Sequence, residues 1–125
     1  MLAYLIVALG SGIGGGLRHA VNVAAARVMG TSWPYGTFAV NIIGSFAMGL
    51  IAGYFAFKAT GSQRWVLFLT TGILGGFTTF SAFSLDVALL FDRGRLGATA
   101  SYLFGSVALS IAALFLGLAL VRRLT

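Results

Sequence analysis

Two series of hydroxyl and amide side chains recur at four-residue intervals within otherwise apolar stretches of the sequence. The first series is Thr37, Asn41 and Ser45, and the second is Tyr102, Ser106 and Ser110, with Ser101 beside it. Residues four apart lie on the same face of an α-helix, so each series predicts a polar stripe on a helix. Such stripes either form hydrogen bonds between helices or line a path on which neutral groups replace part of a small ion's hydration shell.

The residue types favour an anion over a cation on such a path. The sequence has two acids, Asp86 and Asp92, and no Glu, whereas a cation exporter needs a carboxylate deep in the membrane. The Asn41 amide, the hydroxyls and the edges of aromatic rings all present positive charge to an ion. Arg18 and Arg27 add positive potential near one mouth. Arg18 also fits an interfacial arginine that snorkels to the membrane surface.

A glycine and threonine segment lies in the middle of the third apolar stretch. Residues 72–84 read GILGGFTTFSAFS. Gly75 and Gly76, followed by two threonines, weaken a helix and predict a break over residues 75–80, near the bilayer centre. Backbone that is not helical at this depth must be buried in protein or line a water-filled cavity. Its carbonyls can coordinate a hard cation. The phenylalanines that repeat every three residues are, by spacing alone, typical of core packing; they are Phe77, Phe80 and Phe83.

Composition places these elements in a membrane. Of 125 residues, 59% are hydrophobic and 8% are charged, against about 25% charged in soluble domains. The chain has no Cys and one His, which excludes disulfides, thiolate metal sites and cysteine nucleophiles. No nucleophile–base pair or phosphate loop indicates an enzyme. The net charge of +6 comes from basic residues that form no run of five, so nucleic acid is not an expected partner.

Charges and turn residues divide the chain into four apolar stretches, each as long as the roughly 20 residues that cross a bilayer. The predicted spans are 2–29, 35–57, 65–91 and 96–121. The first lacks the basic start of a signal peptide and is therefore a span. Small residues four apart in the first three spans predict close helix packing. We expect an all-α membrane protein with four transmembrane helices in a single domain over residues 1–125.

The basic residues are divided almost evenly between the two sides of the membrane and so favour neither orientation strongly. With four spans, Lys58, Arg64, Arg122 and Arg123 lie on one side and Arg27, Arg93 and Arg95 on the other. If Arg18 is near enough to the interface to count, the split is even. Since the difference in Lys and Arg between sides sets orientation, the chain is expected to insert both ways. An antiparallel homodimer follows as a hypothesis.

Two segments carry a resemblance to a known family. Residues 36–44 read GTFAVNIIG, and about 30 residues after Asn41 begins T-G-x-x-G-G-x-T-T-F-S-x-F-S, at Thr71. These segments, the glycine-rich stretch that ends at Arg18 and the four spans resemble the CrcB/Fluc fluoride channels over nearly the whole chain. The resemblance implies a dual-topology, antiparallel homodimer in the bacterial inner membrane. It would have two pores that export cytoplasmic fluoride passively and confer fluoride resistance.

The resemblance also implies roles for individual residues. Asn41 would donate to fluoride, and the ring edges of Phe80 and Phe83 would face the ion. Arg18 would lie in the vestibule. Backbone carbonyls of Gly75 and Thr78 from both subunits would hold a structural sodium ion at the dimer interface. The remaining pore positions are Thr37, Ser81, Tyr102, Ser106 and Ser110.

The chain departs from the family pattern at two positions. Ala82 stands where the family usually has Thr, and Asp86 where it has Glu, so local hydrogen bonding or ion coordination can differ there. Two alternatives remain. A small multidrug or guanidinium exporter has a similar length and topology, but it would need a carboxylate in the first span, where residues 2–29 have none. A membrane scaffold without transport would tolerate apolar residues throughout the polar stripes.

Overall fold

The computed structural model describes residues 1–58 and 63–124, and every regular element in this part of the chain is helical. We label the helices α1 (Leu2–Met29), α2 (Tyr35–Lys58), α3 (residues 63–77), α4 (Phe80–Asp92) and α5 (Leu96–Leu124). The bounds follow the predicted spans, except that the third span is two helices. Part of the predicted 58–64 connector, residues 59–62, lies outside the described residues.

Glycines with positive φ end two of the helices. Gly30 follows α1 with φ 83°, and its N–H donates to the Ala26 carbonyl at 3.0 Å. Gly94 lies between α4 and α5 with φ 74°. Glycine adopts this backbone region without the steric cost that a Cβ brings. Both reversals therefore fall at the positions where charged and turn residues interrupt the apolar stretches.

The break in the third span lies at the threonines. Gly75 and Gly76 are helical, and α3 ends at Phe77, with Thr78 and Thr79 in extended conformations. The break lies within the predicted interval of 75–80, at its threonines and not at its glycines. The physical reason is packing, because a Cβ at Gly76 would meet the backbone of Ser11 on α1, with Ser11 Cα 2.8 Å away. The absence of a side chain at Gly76 permits this contact with α1.

The middle of α3 is a π-helix, which the sequence did not predict. The segment Phe68–Leu74 has π geometry between the α-helical turns Gln63–Leu67 and Gly75–Phe77. A π segment inserts backbone into a helix at a cost that tertiary contacts must offset, and such segments occur often at functional sites. Here the π-helix packs against the glycine-rich part of α1.

Close glycine contacts join the helices in two parallel pairs. Gly10 of α1 lies against Gly72 of α3, and Gly14 lies one turn further along against Ile73. In the second pair, α2 packs on α5, where Gly49 faces the backbone of Leu114. The predicted close approach of small residues is confirmed at these positions. A Cβ at three other glycines of α1 would meet nothing within 4 Å among the described residues; these are Gly12, Gly15 and Gly16.

Three helical segments are long and apolar enough to cross a membrane, within the described residues. They are Tyr35–Ala56, Gln63–Asp92 and Leu96–Leu124. The 28-residue α1 is not among them, since its glycines, Arg18 and His19 lower its mean hydropathy. The structure is therefore that of a multi-pass helical membrane protein.

Candidate ion pathway

The two polar stripes face a common cavity of about 390 Å³, here called the central cavity. It lies between α2, the helix break, α4 and α5. Its polar side chains are Asn41, Ser45, Thr78, Thr79, Ser106 and Ser110, and its aromatic ones are Phe80 and Phe83. The structure thus brings Asn41 and Ser45 of the first stripe together with Ser106 and Ser110 of the second. It also places two of the predicted pore phenylalanines beside them.

Two hydroxyls in the lining of the central cavity are unsatisfied. The side-chain oxygens of Ser106 and Ser110 are buried and have no hydrogen-bond partner in the described part of the chain. A buried hydroxyl without a partner costs about 1–3 kcal/mol by mutational data. A serine whose role is to join helices would have a partner on the facing helix. These two hydroxyls are therefore available to a ligand in the cavity.

The first residue of each stripe, Thr37 or Tyr102, does not border the central cavity. Tyr102 is fully buried, and its ring centroid is 5.2 Å from that of Phe83. Its hydroxyl donates to Asp86 Oδ2 at 3.0 Å. Thr37 and Asp86 line a second space of about 270 Å³, here called the end cavity, together with Arg93. Tyr102 thus lies between the two cavities, in contact with a residue of each.

The two predicted pore phenylalanines differ in exposure. Phe83 is 6% exposed and belongs to a core cluster with Leu90 and Tyr102, whereas Phe80 is 76% exposed. Their ring centroids are 5.5 Å apart, with the planes at 48°. Both rings border the central cavity directly after the break. Phe80 is therefore available to a surface that the single chain does not supply.

The side chain of Asn41 pairs with the helix break. Its Nδ2 donates to the Thr79 carbonyl at 3.1 Å, and its Oδ1 accepts from the Thr79 N–H at 2.9 Å. The sequence allowed either hydrogen bonds between helices or an ion path for the stripe that contains Asn41, and this pairing is of the first kind. The second N–H group of the Asn41 amide takes no part in this pairing with Thr79. Asn41 also lines the central cavity.

Donors from α1 reach the carbonyls of α3. Arg18 is partly buried, and its Nε donates to the Gly76 carbonyl at 3.2 Å. The Ser11 hydroxyl donates to the Gly72 carbonyl at 3.4 Å. Arg18 thus contacts the backbone just before the break rather than only extending to the membrane surface. Sequence reasoning passed over Ser11, although its place within the glycine run could have marked it as a contact residue.

The backbone around the break redirects two amide donors. In a continuous α-helix, the N–H groups of Thr79 and Ala82 would donate to the carbonyls of Gly75 and Thr78. They donate instead to Asn41 Oδ1 at 2.9 Å and to Thr79 Oγ1 at 3.2 Å. The two predicted metal-binding carbonyls thereby lose their helical donors. Such oxygens are the ligands that a hard cation prefers.

Ser81 lies apart from the other predicted pore residues. Its side chain is exposed, and its hydroxyl is 3.3 Å from that of Thr79. It is not among the described residues that border the central cavity. On one chain, Ser81 shares the outer surface with Phe80.

The fold and this cavity define a multi-pass membrane protein with a neutral, hydrogen-bonding and aromatic interior. Residues 5–118 match the family described as "CrcB-like protein, Camphor Resistance (CrcB)". The chain belongs to the CrcB family. A relative from Rhodopseudomonas palustris, named "Fluoride-specific ion channel FluC", is 60% identical over 99% of this chain and 100% of its own length. A relative from Nitrobacter hamburgensis, "Fluoride-specific ion channel FluC 2", is 58% identical over 98% of each chain. A third, from Methylobacterium nodulans, is 56% identical over 98% of each.

Proposed function

We propose that this protein is a fluoride-selective channel, not an enzyme, that exports cytoplasmic fluoride passively and so confers fluoride resistance. The observation that carries the proposal is the pair of unsatisfied hydroxyls, Ser106 and Ser110, in a cavity that also holds Asn41 and two phenylalanines. The described lining contains no carboxylate. Donors and ring edges stabilise a small anion, and the similar proteins are named as fluoride-specific channels.

The ion would interact in turn with the groups that border the two cavities. Asn41, Ser106 and Ser110 would donate to fluoride in the central cavity, beside the edges of the Phe80 and Phe83 rings. Thr37 and Tyr102 would continue the path toward the end cavity. Arg18 would raise the local anion concentration at the vestibule through its charge. Ser81 would join the lining only where a second subunit covers its surface.

We further propose an antiparallel homodimer with two pores. Phe80 and Gly75 are exposed on one chain, next to the central cavity, and a second copy would enclose them. The parallel pairing of α1 with α3, and of α2 with α5, fits four crossings of alternating direction. Because the basic residues divide almost evenly between the two sides, both insertions of the chain are expected.

A sodium ion at the dimer interface is part of the proposal. The carbonyls of Gly75 and Thr78 would hold it, because the redirected N–H groups of Thr79 and Ala82 leave these oxygens without their helical donors. Bound there, the ion would supply a positive charge shared by carbonyls of the two subunits. The chain's own contribution is the extended backbone at Thr78 and Thr79, which leaves these carbonyls without their helical donors.

Ion efflux from proteoliposomes tests the function. Vesicles containing the purified protein are loaded with fluoride or with chloride, and efflux is followed with ion-selective electrodes. We expect fluoride efflux well above that of protein-free vesicles, with chloride efflux at the background level. Equal efflux of the two ions, or none, would contradict the fluoride assignment.

Reporter fusions test the dimer's orientation independently. A compartment-restricted reporter is attached to each terminus in turn, and activity is measured on both sides of the membrane. Dual topology predicts signal on both sides for each terminus. A single orientation would defeat the antiparallel dimer and leave the fluoride assignment to the efflux assay.

A further inference from the structure

Thr79 occupies the point where the third span is not helical. Its φ and ψ of −155° and 127° are those of a β-strand, and the preceding Thr78 has −88° and 160°. Backbone groups in such a conformation lose their helical partners and must be satisfied from elsewhere when they lie at membrane depth. The surrounding structure therefore has to supply both a donor and an acceptor to Thr79.

Asn41 supplies both from one side chain. Its Oδ1 accepts from the Thr79 N–H at 2.9 Å, and its Nδ2 donates to the Thr79 carbonyl at 3.1 Å. A carboxamide has an acceptor and a donor side by side, so it pairs with an extended residue in the way that a neighbouring strand would. A hydroxyl or a carboxylate at this position could not make both bonds in this way.

We propose that Asn41 is the positioning residue that holds the helix break open, in addition to its proposed contact with the ion. Its acceptor draws the Thr79 N–H away from the Gly75 carbonyl. With its backbone fixed, Thr79 uses its own Oγ1 to accept from the Ala82 N–H at 3.2 Å and so caps α4. The next residue is Phe80, so the pairing sets the start of the helix that carries both pore phenylalanines.

The two roles of Asn41 predict different consequences for the backbone. If Asn41 only donated to an ion, its replacement would change ion flux and leave the Thr79 amide as it is. If Asn41 holds the break, its replacement exposes the Thr79 amide whether or not an ion is present. Hydrogen–deuterium exchange of the Thr79 amide, followed by NMR on the full-length protein in detergent micelles, separates the two roles.

Three variants give the comparison. Asn41→Ala removes both bonds, and we expect the Thr79 amide to exchange about tenfold faster than in the unsubstituted protein. Asn41→Asp keeps an acceptor for that amide, so its exchange should stay within about threefold, while the added negative charge abolishes fluoride efflux. Ser45→Ala, one turn further along α2 in the same cavity, should leave the exchange of Thr79 unchanged. Unchanged Thr79 exchange in Asn41→Ala overturns the proposal.

A measurement on the unsubstituted protein keeps the proposal testable if Asn41→Ala does not fold. One Nδ2 proton of Asn41 is donated to the Thr79 carbonyl and the other is not, so their exchange rates should differ by about tenfold. Equal rates would also overturn the proposal. Neither readout involves an ion. A protein that conducts no fluoride would therefore defeat the proposed function and leave the positioning role of Asn41 intact.

Discussion

The hydroxyl of Tyr102 donates a hydrogen bond to Asp86 Oδ2 at 3.0 Å and thereby joins α5 to α4 at the boundary between the two cavities. Asp86 is one of the two positions that depart from the family pattern. The shorter side chain of aspartate still reaches the tyrosine. The departure therefore retains a carboxylate that is hydrogen-bonded within the chain and borders the end cavity.

This hydrogen bond gives the first prediction. Asp86→Ala should lower the free energy of unfolding by about 1–2 kcal/mol, because the buried Tyr102 hydroxyl loses its acceptor. Asp86→Asn is the matched control, since its amide oxygen can still accept, and it should cost less than half as much. Unfolding in mixed detergent micelles measures both. Equal losses for the two variants would show that charge, rather than the hydrogen bond, stabilises this contact.

Removal of an unsatisfied pore hydroxyl should separate stability from transport. Ser106→Ala eliminates a buried polar oxygen that has no partner, so we expect the free energy of unfolding to rise by about 1 kcal/mol. Fluoride efflux from proteoliposomes should fall about tenfold because the ion loses a donor. A serine that joins helices predicts the opposite change in stability, and a membrane scaffold predicts that the substitution is tolerated with no loss of activity.

The two phenylalanines should respond differently to the same substitution. Phe80→Leu keeps an apolar side chain at an exposed position, so stability should change by less than about 0.5 kcal/mol. Phe83→Leu disturbs the buried cluster with Tyr102 and should cost about 1 kcal/mol. Fluoride efflux should fall for both variants, because each removes a ring edge. Normal efflux in Phe80→Leu would remove Phe80 from the proposed pore.

Helix packing predicts a contrast between two glycines of α1. A Cβ at Gly14 would meet the backbone of Ile73 and would lie 2.8 Å from the Phe77 nitrogen, whereas a Cβ at Gly12 meets nothing within 4 Å among the described residues. Gly14→Ala should therefore destabilise the protein by about 1–3 kcal/mol, and Gly12→Ala should not. Thermal unfolding in detergent measures the difference. Similar losses at both positions would place a second packing surface on the Gly12 face.

Replacement of sodium tests the proposed metal site without a mutation. Because sodium would bind only the folded protein, its exchange for N-methyl-D-glucamine should lower the unfolding temperature. A hundredfold excess of sodium over its dissociation constant corresponds to about 2.7 kcal/mol. Choline at the same ionic strength is the control for a general salt effect. An unfolding temperature that is the same in all three cations would contradict the sodium site.

The sequence predicted the helices well and the break only approximately. Apolar runs and charged connectors set the ends of α1, α2 and α5 to within a few residues, because hydrophobic length and helix-ending glycines are local properties. The same reasoning placed the break over residues 75–80, where two glycines and two threonines weaken a helix. Within that interval the break lies at Thr78 and Thr79, while Gly76 stays helical against the backbone of Ser11.

The site was predicted in part for the same reason. Four-residue spacing identified the stripes that meet in the central cavity, because helical periodicity fixes which residues share a face. It could not show that Asn41 is paired with a backbone 38 residues away or that Ser106 has no partner. It also gave no sign of the difference in exposure between Phe80 and Phe83, which share a helix but face different neighbours.

The sequence by itself determined an apolar, helical chain whose few polar side chains are neutral donors arranged on helix faces. The tertiary structure alone decided where helix α3 ends, which hydroxyls lack partners and which carbonyls lose their helical donors. These properties depend on contacts between residues far apart in the chain. In this protein, the amide of Asn41 and the backbone of Ser11 override the local preference of residues 75–80, because each satisfies or packs against groups that no neighbour in the sequence can reach.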